Sequence, residues 1–150
     1  MERNSEVQQE RRTIDTALLV ARVIVGAIFM AHGSQKLFGA FDGPGLAAVV
    51  GKMGPIGYLV TVGEFFGGLG LIAGILSRFS SAALIVIMVG AIIQVHGKNG
   101  FFGPTGFEYN LALIGLLAPT LIAGPGRFAL NHYLRLPQPA GKTRAVAALE

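Results

Sequence analysis

The 150-residue sequence contains no cysteine. That excludes disulfides, thiol redox chemistry, cysteine-ligated iron–sulfur clusters and a cysteine nucleophile within this chain. Charge is scarce as well. Only 13% of residues are charged against 52% apolar, too greasy a balance for an ordinary soluble domain. The polar stripe that a soluble amphipathic helix shows every few residues is missing too, and Ala82 to Ile93 has no polar residue at all. The many glycines follow no strand–turn–helix pattern, so a phosphate-binding loop is absent. The two halves share no pair of broken helices, which argues against an inverted-repeat transporter.

What remains is apolar sequence in four stretches, 16–38, 56–76, 79–96 and 108–124, each near the ~17–25 residues needed to cross a bilayer as a helix. The chain reads as all-α, an integral membrane four-helix bundle of the multi-pass, bacterial inner-membrane type. The transmembrane domain spans 16–124, between an N-terminal tail (1–15) and a C-terminal tail (125–150). The first tail mixes Glu2, Glu6, Glu10 and Asp15 with its arginines and leads into a long apolar run, which favours a retained, partly helical segment over a cleaved signal. The net charge of +4 is arranged by topology and requires no nucleic acid. Arg3, Arg11 and Arg12, then Arg78, then Arg127, Arg135, Lys142 and Arg144 fall on one side; the two longer connections hold only Lys52 and Lys98. By the positive-inside rule both termini are cytoplasmic and both longer connections face outward. In the first of these, Leu46 to Met53 has the makings of a short interfacial helix. The second, Gly97 to Gly106, is flanked by an aromatic face of Phe101, Phe102 and Phe107. Gly124, Pro125 and Gly126 end the last span, and Phe128, Leu130, Tyr133 and Leu134 follow as an amphipathic turn until Pro137 and Pro139.

Ionisable groups inside such spans cost roughly 2.5–3.5 kcal/mol each, so they are paired within the bundle and mark candidate sites. On the first helix Arg22, Phe29, His32 and Lys36 fall in a sector of about 80°, beside Gly26 and Gly33. On the second, Gly63, Gly67, Gly70 and Gly74 make a packing groove with Glu64 at its edge. Counting about 1.5 Å per residue puts Arg22 ~9 Å, Glu64 ~18 Å and His32 ~24 Å from the cytoplasmic ends. Side chains tilt toward the start of their own helix, so Glu64 should reach His32 or Lys36 and not Arg22, with His32 the better match. Arg22 is left to reach the inner interface or to cap carbonyls of a neighbour. At the outer ends Gln35, Gln94, His96, Glu108 and Asn110 come to a similar depth. His32, Lys36 and Glu64 are the candidate catalytic residues, and those five the candidate cofactor-binding ones. No metal site is expected, and haem on His32 and His96 is disfavoured because two histidines at unlinked positions carry no ligand-spacing signature.

At these residues the chain resembles the DoxX-like family of small four-helix membrane proteins. The matching pieces are Arg22 to Gly26 with Phe29 to Phe38, Gly63-Glu64, Phe107-Glu108-Tyr109 and Gly124 to Asn131. Family members often close with Ser and Asp where this chain has Ala129 and Asn131. The resemblance implies a membrane component of redox systems, such as thiosulfate:quinone oxidoreductases or assemblies with oxidative-stress enzymes. The reading that follows is a membrane subunit supporting quinone-linked electron transfer through an outer-half polar pocket, together with a protein partner that carries the redox cofactors, or as a homo-oligomer. The alternative is a non-catalytic structural or assembly subunit. Topology is directly testable: labels placed at Gly45 and at Gly100 should react from outside the cell, and cytoplasmic labelling at either would overturn the assigned orientation.

Overall fold

The structure, a computed structural model, describes residues 2–134, and among these it is all-helical. Five α-helices follow one another: α1 (Glu2–Phe38), α2 (Gly45–Met53), α3 (Ile56–Ala73), α4 (Ser77–Ala91) and α5 (Glu108–Ala123). α1 packs on α3, α3 on α4, α4 on α5, and α5 returns to α1, which closes a four-helix ring; the short α2 lies against α3 and α1. The helical segments Ser5–Phe38, Ile56–Ala73 and Ser77–Asn99 are long and apolar enough to cross a membrane, and Glu108–Ala123 is a shorter apolar helix. The last of the three long segments continues α4 through a π-helical turn, Ile92–His96. This is the architecture of a multi-pass membrane protein.

The N-terminal tail is not a separate element. Residues 2–25 contain neither glycine nor proline, so nothing interrupts helix propagation. α1 therefore runs on for 37 residues, ~55 Å at 1.5 Å per residue, well beyond a ~30 Å hydrocarbon layer. α2 matches the expected interfacial helix within one residue. α3 ends three residues before the expected 76 because Gly74 adopts φ 73°. The Gly74 N–H bonds Leu71 O and the Ile75 N–H bonds Gly70 O, a left-handed stop that glycine makes without steric cost. After α5, Ala129 is buried and Leu130–His132 form one 3₁₀ turn in place of an amphipathic helical one. The expectations for Pro137 and Pro139, and for Arg135, Lys142 and Arg144, lie outside the described residues.

Val25, Phe29, Leu71, Leu84, Met88, Leu113 and Leu117 form the buried apolar core, drawn from all four long helices. The closest helix approach is between α1 and α3. A Cβ at Gly26 would lie 2.7 Å from Gly68 O, and one at Gly68 would lie 2.5 Å from Gly26 O and 2.6 Å from the Met30 amide nitrogen. The other glycine face of α3 meets α4, with Gly63 opposite Ile87 and Gly67 opposite Leu84. Where no hydrophobic force drives helices together, this close backbone packing is what holds them. Gly68→Ala should thus lower stability by about 1–3 kcal/mol, because the backbones must separate. Gly90→Ala, with nothing within 4 Å of the new methyl, should be neutral or slightly stabilising. Thermal unfolding of both variants in detergent checks the contrast.

Candidate functional site

α1 and α3 run antiparallel, and their glycine contact brings the last turn of α1 beside the middle of α3. There Lys36 Nζ donates to both carboxylate oxygens of Glu64, at 2.5 Å each. Glu64 is 3% exposed at its side chain and Lys36 27%. One member of the pair is thus held in the bundle and the other reaches its surface. Lys36 also sits in the last turn of its helix, where the carbonyl end of the helix dipole favours a cation. Phe38 meets Phe65 edge-on at 5.3 Å, and Phe65 meets Phe66 at 5.2 Å, so aromatic rings flank both partners of the ion pair.

One turn before Glu64 on the same face of α3, Thr61 is fully buried, and its hydroxyl has no hydrogen-bond partner among the described residues. Sequence reasoning passed over Thr61. The signal was there, since a hydroxyl three residues from an intramembrane carboxylate must share its face.

His32 takes a different direction. It lies about 40° around α1 from Lys36, is exposed, and turns its ring toward Tyr109 of α5 at 6.3 Å and 60°. The expectation that His32 is the better partner of Glu64 is corrected: the longer, flexible lysine on the inward side of the helix takes the carboxylate. The other half of that expectation, that Arg22 is not the partner, agrees with the structure. Arg22 is 1% exposed and caps α3, donating through Nη1 to Leu71 O and Ile72 O at 2.8 Å each and through Nη2 to Phe128 O.

The five candidate cofactor-binding residues do not gather in one place. His96 Nδ1 meets Thr105 O at 2.9 Å, and Asn99 donates to the same carbonyl at 3.1 Å. Glu108 accepts the Gly103 N–H at 3.2 Å. His96 and Glu108 therefore fasten the loop between α4 and α5, where Phe101 packs edge-on against Phe107 at 5.1 Å. Asn110 is buried between helices, its amide 3.4 Å from Met88 Sδ. Gln94 is exposed, and Gln35 is half-buried with its backbone against Gly43. Depth along the bundle was legible in sequence. Azimuth was not.

An all-helical bundle of apolar helices with a buried Lys–Glu ion pair defines a class: small polytopic membrane proteins carrying an intramembrane charge pair. Within it the chain belongs to the DoxX family, whose profile matches residues 17–97, from the middle of α1 to the end of the α4 segment. It is 29% identical over 105 residues to "Putative oxidoreductase CatD" of Bacillus subtilis (strain 168), covering 70% of this chain and 78% of that one. It is also 29% identical over 132 residues to "Uncharacterized membrane protein Rv3486" of Mycobacterium tuberculosis (strain ATCC 25618 / H37Rv), covering 79% and 81%. No solved structure matches.

The unequal burial of the pair makes its two halves unequal in energy. Lys36→Met strands a carboxylate in the bundle and should cost about 3–5 kcal/mol, reduced to the extent that Glu64 takes up a proton. Glu64→Gln leaves a lysine that can turn to the surface, and should cost less. The double variant should recover most of the Lys36→Met loss. A double-mutant cycle in detergent unfolding measures this, and equal costs for the two single changes would contradict the asymmetry.

Proposed function

We propose that this protein is the membrane subunit of a redox system and that the Lys36–Glu64 pair, with Thr61 one turn along α3 and with His32 and Tyr109 on the α5 side of α1, receives a quinone head group. The observation that carries the reading is a carboxylate 3% exposed, tied to a lysine that reaches the surface, with an unpartnered buried hydroxyl one turn away. A quinone site needs hydrogen-bond donors for the carbonyl oxygens and a route for protons. The donors present fit that need: the Lys36 ammonium, the Thr61 hydroxyl, and the His32 ring of α1 facing Tyr109 at the start of α5. When bound, a quinone supplies two-electron, two-proton chemistry. The chain's own residues bind and orient it, and the Lys36 ammonium, held by the Glu64 carboxylate, gives up a proton from Nζ and regains one from the surface it reaches, the only step assigned to them.

The membrane setting and the aromatic flank of Phe38 and Phe65 support a lipophilic ligand. The name of the Bacillus relative supports a redox role. Electrons come, in this reading, from a partner protein carrying the redox cofactors, since a cysteine-free chain offers no thiolate for an iron–sulfur cluster. A second reading, a structural or assembly subunit, is favoured by one observation: both oxygens of Glu64 are already engaged by a single lysine, as a pair fixing helix register would be.

One experiment separates the two. Quinone co-purifying with the protein is quantified by mass spectrometry, and quinone reduction is followed in native membranes per mole of inserted protein. Glu64→Gln and His32→Ala should retain insertion while losing bound quinone and slowing turnover at least about a hundredfold, the lower end of what a positioned proton-transfer group contributes. Full turnover in both, with the loss confined to melting temperature or partner retention, establishes the structural reading.

A further inference from the structure

Three helices leave polar side chains in one layer at the Arg22 end of the bundle, and the ion pair and its surroundings make no use of them. Val25, Leu84 and Leu117 pack together in the core. One turn further along stand Arg22 on α1, Ser81 on α4 and Thr120 on α5, with Ser77 another turn along α4. Their exposures are 1%, 0%, 0% and 3%. The register of α4 against α5 is set by Arg78 donating to Ile122 O at 3.0 Å and by Asn110 reaching Met88 Sδ at 3.4 Å, which brings Ser81 level with Thr120.

Among the described residues, Arg22 Nε and the hydroxyls of Ser77, Ser81 and Thr120 have no hydrogen-bond partner. Buried polar groups in that condition are costly and call for an occupant. All four atoms can donate at once, the Nε–H by necessity and the hydroxyls by rotation. The guanidinium brings a positive charge to this layer. Every other bond of the guanidinium goes to a carbonyl, of Leu71, Ile72 or Phe128, and none to a carboxylate. Glu64 is held by Lys36, and Asp15 accepts the Arg127 N–H. The carbonyl ends of α3 and α5 are already bonded to Arg22 and Arg78. The N-terminus of the 15-residue α4 opens at Ser77 and adds positive potential to that of the unpartnered groups. The guanidinium fork that recognises planar oxoanions is committed to carbonyls, so what is left is a set of single-point donors, suited to a spherical ion.

We propose that this layer binds one halide ion, chloride under ordinary conditions, held by Arg22 Nε–H and the hydroxyls of Ser77, Ser81 and Thr120. Arg22 also borders an open cleft of about 570 Å³, alongside Leu19, Ile72, Phe128 and Tyr133, so one of the four proposed ligands lies beside a route to the surface. The ion's role is structural, neutralising the cation that joins α1 to the end of α3 and to the segment after α5.

The test uses the full chain in detergent, with chloride or bromide exchanged for gluconate at constant ionic strength, and melting temperature and ³⁵Cl NMR line broadening as readouts. The wild type should show a saturable rise of about 3–6 °C up to about 300 mM chloride, a similar rise with bromide, and line broadening that bromide competes away. Ser81→Ala with Thr120→Val should abolish the rise and cut the broadening at least about fivefold, and Ser77→Ala should weaken both. If these hydroxyls instead meet only water or nothing, melting will be indifferent to the anion, and removing them will leave it unchanged or raise it in every salt. Either of those results overturns the proposal.

Discussion

The backbone contact between α1 and α3 at Gly26 and Gly68 is the constraint on which the rest of the structure depends. Two apolar helices in a lipid-like setting gain little by hiding from water, so they associate only where their backbones can come close. Here the close approach fixes both the distance and the register of an antiparallel pair. At one end it delivers Lys36 to Glu64, and at the other it delivers Arg22 to the Leu71 and Ile72 carbonyls beside the Gly74 stop. A larger side chain at Gly68 would act on both ends at once. The two charge interactions are in this sense consequences of the same two missing Cβ atoms.

The two ends of the pair solve different problems. At the Lys36 end a carboxylate is compensated by a cation that keeps access to the surface. At the Arg22 end, among the described residues, the cation's bonds go to carbonyl dipoles of α3 and of the segment after α5. That segment is held twice, through Phe128 O on Arg22 and through the Arg127 N–H on Asp15. The first arrangement joins two charged side chains, and the second joins a charged side chain to backbone carbonyls.

The loop between α4 and α5 gives a third lesson in how polar residues near a helix end are used. His96, Asn99 and Glu108 spend their hydrogen bonds on backbone groups of residues 103 and 105. Backbone polar groups in a tight glycine-rich connection must be satisfied, and side chains at the flanking helix ends are the nearest donors and acceptors. Their depth resembles that of Lys36 and Glu64, but their work is local.

Legible in the sequence alone were the apolar helices, the interfacial α2, the glycine faces of α1 and α3, and the expectation that Glu64 meets His32 or Lys36 near the end of α1. Each of these follows from hydropathy, helical periodicity or the cost of an unpaired charge, which are local properties of the chain. It also limited Arg22 to two roles, of which capping a neighbour's carbonyls is the one found. Only the tertiary structure decided that Lys36 rather than His32 takes Glu64, and that His32 faces Tyr109. It alone decided that Asn110 belongs to the α4–α5 contact, and that Thr61, Ser77, Ser81 and Thr120 are buried without partners. The reason is that periodicity places a residue along and around its own helix but says nothing of how that helix is rotated against the next. That rotation is set by packing between glycine surfaces and core side chains far apart in sequence, and a difference of about 40° separates a residue in an ion pair from one turned toward another helix.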